Sequence, residues 1–242
     1  MPSRITGGGV LAGYQLRGVH GQTVEALARR VLSGEIPEGA TLDLLALREE
    51  LDVSLTALRE ALKVLSAKGI IDARQKRGTF VRPRTDWNML DGDVLRWRSA
   101  GPPDPDLLEH LAEVRSIVEP AAAKLAAQRA TDQDLIDLDD ALARMGEAAG
   151  NPGKLVEADL DFHRALLGAT HNQLVVQMER VIASGLAMRD QVVHNADPAD
   201  DPVPSHRKVL DAIRERDAEA AEQAMRALVD KASEDFRRIS GQ

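Results

Sequence analysis

The sequence predicts a mainly α protein of two parts, an N-terminal winged helix-turn-helix followed by a C-terminal all-α antiparallel helical bundle. Three observations predict it. Apolar residues recur at three- and four-residue spacing through most of the 242-residue chain. Strand-like β-branched runs are confined to one place, IIDAR and TFVRP around QKRG. Charge is divided unevenly: residues 1–85 hold 13 Lys and Arg against 9 Asp and Glu, whereas residues 86–242 hold 18 against 30. A basic head on an acidic body points to a nucleic-acid-facing part joined to a part with another task.

Composition excludes several classes. There is no cysteine, so disulfides and thiolate metal sites are absent. Aromatic residues make up 2% of the chain, and the abundance of Ala, Leu, Glu, Asp and Arg favours helices packed through aliphatic faces. No run of about 18 uncharged apolar residues exists, and the start MPSRITGGGVLAGYQLRG has too short an apolar stretch for a signal peptide. A soluble cytoplasmic protein with no membrane partner is expected.

Residues 1–19, rich in Gly, read as a flexible arm, and residues 20–84 as a DNA-binding domain. From Gln22 to Leu32 the apolar positions Val24, Leu27, Ala28, Val31 and Leu32 mark a helix that GEIPEG stops. LDLLALREEL supplies a second short helix. DVS then makes a turn in which Ser54 caps a third, LTALREALKVLSAKG, ending at Gly69. The hairpin follows. Three helices and a hairpin in this order put the third helix in the major groove and the hairpin beside it as a wing. Leu58, Leu62 and Leu65 face inward, leaving Ser54, Thr56, Arg59 and Lys63 as candidate DNA contacts on the helix. Lys76, Arg77 and Gly78 form a flexible cationic wing tip suited to phosphate or the minor groove.

The run VSLTALREALKVLSAKGIIDARQKRGTFV resembles the DNA-binding domain of GntR-superfamily repressors, through REAL, the Gly after the third helix, and RGTFV. The resemblance implies operator binding. In that family arginines usually stand where this chain has Leu45 and Leu55, so of that DNA-touching trio only Arg59 remains.

Residues 85–105, within PRTDWNMLDGDVLRWRSAGPPDP, read as a linker. Its Trp87, Leu90, Val94, Leu95 and Trp97 are expected to dock on a neighbouring surface, because exposing them would be unfavourable at about 25 cal/mol per Å². From Asp106 to the end, six helical segments are expected, at about 106–129, 132–149, 153–169, 172–195, 202–215 and 217–239, making a ligand-binding domain over 106–242. EVRSIVEPAAAKLAAQRAT, DLDFHRALLGATHNQ and SHRKVLDAIRERDAEAAEQAM are similar to the FCD ligand-binding domain of the FadR branch of the same superfamily. WNMLDGDVLRW and VRSIVEPA sharpen the resemblance toward regulators of galactonate and related sugar-acid operons.

Within EADLDFHRALL, Asp159 and His163 stand four apart and share a helix face. They can hold a metal, act as an acid/base pair, or bond each other. Val156, Leu166, Leu167 and Thr170 share that face, so it points inward; His206 precedes Val209, Leu210 and Ile213 on another inward face. Arg115 flanks a stripe of Leu111, Val114, Val118 and Ala121. Polar groups placed inward need partners. Arg115, Asp159, His163 and His206 are therefore candidate effector-binding residues. The FCD resemblance implies metal ligation by Asp159, His163 and His206, with a fourth histidine of the family pattern replaced by Leu228. A weakly held divalent ion, zinc, nickel or manganese, is expected.

The leading functional reading is a regulator, not an enzyme, in which a small sugar acid or hydroxy acid shifts a homodimer on a palindromic operator. Release by the effector is the commoner sign among the resembling repressors. A metal-dependent hydrolase using Asp159, His163 and His206 is the alternative, though no HExxH or Ser/His elbow accompanies those residues. A helical interaction protein without a small ligand is the third reading.

Overall fold

A computed structural model describes residues 19–100, 104–148, 150–193 and 201–240. The proposed N-terminal arm lies, apart from its last residue, outside the described residues. The chain forms two units, Met1–Pro102 and Pro103–Gln242.

The first unit is the expected winged helix. Helix α1 (Val19–Leu32) packs on α3 (Leu55–Ala67), and α2 (Leu44–Glu50) packs on α3 as well. Short polar caps start the helices: the Asp43 carboxylate accepts from the amides of Leu45 and Ala46, and Ser54 Oγ from that of Ala57. Val24, Leu27, Leu58, Leu65 and Ile70 fill the core. Strands β1 (Ile71–Arg74) and β2 (Gly78–Val81) pair antiparallel with Ile71 opposite Val81, and Thr41 bridges to Phe80 on the other side. Gly69 is required twice over. Its φ is +77°, and an added Cβ would lie 2.7 Å from the Asp86 carbonyl oxygen.

The segment read as a linker belongs to this first unit up to Pro102. Trp87, Val94 and Trp97 are members of its core, and residues Gly92–Ser99 form a helix, α4, capped by Asp91. Leu95 is buried as expected, but Leu90 is 66% exposed. Burial of two indole rings explains why the segment folds back.

The second unit is an all-helical bundle: α5 (Pro105–Arg129), α6 (Asp132–Glu147), α7 (Pro152–Gly168), α8 (Gln173–Gln177), α9 (Glu179–Val193), α10 (Val203–Arg214) and α11 (Ala218–Ser240). Helix α5 packs along α11, while α6 with α7 and α10 with α11 form neighbouring pairs. Phe162, Leu138, Leu142, Leu166, Val209 and Met225 lie in the core. The segment expected as one helix over 172–195 is broken by a turn at Met178 into α8 and α9. The inner line of α5 also differs from expectation. Leu108, Leu111, Arg115, Glu119, Ala122 and Ala126 are buried, whereas Val114 and Val118 are half-buried and Ala121 is exposed. Both lines have helical spacing; the buried one holds two charges that neutralise each other. Among the described residues no helix is long and apolar enough to cross a membrane.

Candidate functional site

On the first unit the candidate DNA contacts are exposed. Thr56, Arg59 and Lys63 are exposed along α3, and Ser54 sits exposed at its start. Lys63 Nζ lies 2.7 Å from Glu60 Oε1, a surface pair weak enough to exchange for a phosphate. The wing tip is exposed at Lys76, Arg77 and Gly78, with Lys76 at φ +71°. Arg77 is more ordered than a free cationic tip: its guanidinium lies 3.6 Å from the Phe80 ring centroid, and Nη2 donates to the Gly39 carbonyl at 3.3 Å. Leu45 is 61% exposed and Leu55 half-buried, so these two positions offer methyl groups where the resembling repressors have guanidinium groups.

Inside the second unit, α5, α7 and α10 bring four predicted residues into one buried centre. Arg115, His163 and His206 are at most 5% exposed, and Asp159 keeps a 13% exposed carboxylate. Asp159 and His163 are one turn apart on α7, and His206 enters from α10. The centre contains a fifth residue, Glu119, which is wholly buried. Glu119 receives Arg115 Nε at 2.7 Å and Nη2 at 3.3 Å, and its Oε2 lies 3.2 Å from His163 Nδ1. The sequence signal for it was the i,i+4 spacing in RSIVE, which places a carboxylate one turn beyond a buried arginine.

A hydrogen bond sets the His206 tautomer. His206 Nδ1 is 2.8 Å from the Pro202 carbonyl, which only accepts, so that nitrogen carries the proton. In the neutral ring Nε2 is then a lone pair, and it faces Asp159 Oδ1 at 3.0 Å without a hydrogen bond. His163 repeats the arrangement: Nδ1 faces Glu119, and Nε2 lies 3.8 Å from the same Asp159 oxygen. Both His163 nitrogens and His206 Nε2 are buried and make no hydrogen bond. Burial alone raises the Asp159 carboxyl; His206 and His163 in their charged form, with Arg115, outweigh it and hold it well below the usual range. Glu119 is treated likewise: burial raises it, and Arg115 and His163 bring it down to about 2.

Two imidazole lone pairs converging on a carboxylate fit a divalent cation. One ligand atom from each of Asp159, His163 and His206 lies within 4.8 Å of the others. Around an ion with bonds of about 2.1 Å such atoms stand roughly 3–4 Å apart, so only small side-chain adjustments are needed. The Pro202 carbonyl would orient His206 as a ligand, and Glu119 faces Nδ1 of His163. Leu228 is 7% exposed and part of the apolar core, contributing hydrocarbon and no ligand. Beside the centre, a cavity of about 490 Å³ lies between α5, α9 and α11, lined by Leu108, Leu111, Arg115, Gly185, Val229 and Ser233 among others. Arg115 is common to the cavity and the centre.

Comparison with known proteins agrees with both units. Residues 20–81 match the gntR family of bacterial regulatory proteins, and residues 110–231 match the FCD domain. The galactonate operon transcriptional repressor of Escherichia coli K12 is 35% identical over 220 residues, covering 90% of this chain and 96% of the relative. The regulator LutR of Bacillus subtilis is 34% identical over 157 residues, covering 64% and 69%. Among solved structures, Lar, which controls the Listeria monocytogenes agr system, covers 92% of this chain and 98% of its own at TM-score 0.64 and 17% identity, a likeness of fold alone. The chain belongs to the GntR family of bacterial regulatory proteins and is a DNA-binding transcriptional regulator whose C-terminal unit is an FCD domain.

Proposed function

We propose that this regulator is a repressor, acting as a homodimer on a palindromic operator, whose binding is modulated by a small sugar acid or hydroxy acid held in the FCD unit with the help of a divalent ion. The observation that carries the reading is the set of buried imidazole nitrogens without hydrogen bonds, converging on Asp159 beside Arg115. With neutral imidazoles, Arg115, Glu119 and Asp159 sum to one negative charge. A divalent ion reverses that sign, and the centre then favours an anion. When bound, the ion supplies a Lewis-acidic point for oxygen ligands, with Asp159, His163 and His206 holding it. Three protein ligands leave positions for a carboxylate and an adjacent hydroxyl. The cavity against Arg115 gives such a molecule room.

Two relatives carry an acid in the name of their operon, the galactonate operon transcriptional repressor and a protein named as the putative L-lactate dehydrogenase operon regulatory protein. They support a carboxylate effector. The hydrolase alternative finds no support, since the matching families are regulators and the carboxylate nearest His163 Nδ1, Glu119, is engaged by Arg115. The test is a thermal-melt screen of sugar and hydroxy acids on metal-loaded and metal-stripped protein. The proposal requires a shift that depends on the metal; acids that shift neither form would defeat it.

Two further outcomes follow. Leu228→His offers a fourth imidazole and is expected to tighten zinc or manganese binding by at least tenfold in calorimetric titration, provided the ring reaches the ion. On the DNA side, Arg59→Ala is expected to cost about 1–3 kcal/mol of operator binding. Arg77→Ala should flatten the salt dependence, by about one phosphate contact. Fluorescence anisotropy at two salt concentrations reads both; unchanged affinity in both variants would remove α3 and the wing from the DNA interface.

A further inference from the structure

The end of the recognition helix is held by a charged clasp that DNA contact does not account for. Lys68 caps the C-terminus of α3, and its ammonium lies 2.8 and 2.9 Å from the two Asp91 oxygens and 2.8 Å from Asp93 Oδ2. Lys68 and Asp93 side chains are only 14% and 8% exposed. Asp91 is the N-cap of α4, and its Oδ1 also accepts from the Asp93 and Val94 amides. The chain of charges continues to α1: Asp93 Oδ1 meets Arg96, which pairs with Glu25 of α1, and Trp97 Nε1 donates to Glu25 at 2.7 Å. The backbone repeats the connection, since the Asn88 amide donates to the Lys68 carbonyl at 3.1 Å.

Three carboxylate oxygens saturate the Lys68 ammonium. A cation so placed is costly to leave without its anions, so α3 and α4 hold one fixed relation. Helix α4 is also the last element of the first unit, the one from which the chain leads on to the FCD unit. We propose that Lys68 is a positioning residue: through Asp91 and Asp93 it fixes the recognition helix to α4, so that the setting of α4 determines how α3 meets the operator.

Operator affinity of the full-length protein tests this, using a duplex selected from a random pool by the wild type and a random-sequence duplex of equal length. Asp91→Asn keeps a competent helix cap while removing one charge, so the fold survives. Asp91→Asn with Asp93→Asn, and separately Lys68→Met, are each expected to lose about tenfold in operator affinity, the size of one lost base contact. Binding to the random duplex should be unchanged, and the triple variant should lose no more than Lys68→Met. Asp91→Asn alone should show a smaller loss of the same kind. Stronger operator binding on removing the carboxylates would show that Lys68 serves DNA phosphates instead. Equal losses on both duplexes would reduce the clasp to a stability element, and either result, or no change at all, overturns the proposal.

Discussion

Glu119→Ala is expected to destabilise the FCD unit by about 3–5 kcal/mol, the cost of taking one partner from a buried ion pair. The carboxylate is wholly buried, neutralises Arg115 and faces His163 Nδ1, so its removal deprives two buried groups at once. In calorimetry the transition of that unit should fall by about 10 °C or more. Glu119→Gln keeps an amide oxygen that accepts from Arg115 and should lose less. The pair Arg115→Met with Glu119→Leu, which removes both charges, should recover much of the loss, because apolar replacements of buried ion pairs are often tolerated. An unchanged transition in Glu119→Ala would contradict the buried pairing.

His206→Ala should abolish retention of a divalent ion and blunt the effector's action on DNA together. Two protein ligands, Asp159 and His163, remain after that change. The expected readings are a metal content near zero after purification without chelator and operator affinity that no longer responds to acid. The opposite account treats Asp159, His163 and His206 as a structural group bonded only to itself. It predicts no metal in the wild type even after added zinc or manganese, and a loss of stability as the sole effect of His206→Ala.

Much of this was legible in the chain. The order of elements in the winged helix follows from helical spacing, the Ser54 cap, the stop at Gly69 and the turn residues of the wing, all local signals. That Asp159, His163 and His206 face inward and need partners was readable from two helix faces, while their meeting as one ligand set was implied by the FCD resemblance. Glu119 escaped because a carboxylate next to Pro120 reads as a surface residue, and the inward Arg115 was not followed along its i,i+4 spacing to a partner on the same helix. The same bias misplaced the inner line of α5, where Val114 and Val118 scored as core by hydrophobicity while Arg115 and Glu119 held the interior as a neutral pair. The fold-back of residues 86–99 was half legible: the tryptophans announced docking, but their partner, the core of the first unit, is set by tertiary packing.

The most direct test of metal-assisted acid control follows labelled operator DNA by anisotropy while metal-loaded protein is titrated with galactonate and other sugar and hydroxy acids. At least one acid should change operator affinity by about tenfold or more, within the usual range of coupling between two sites. Stripping the metal should remove most of that response. Operator affinity that stays constant with every acid, in protein shown to carry the ion, would contradict the account.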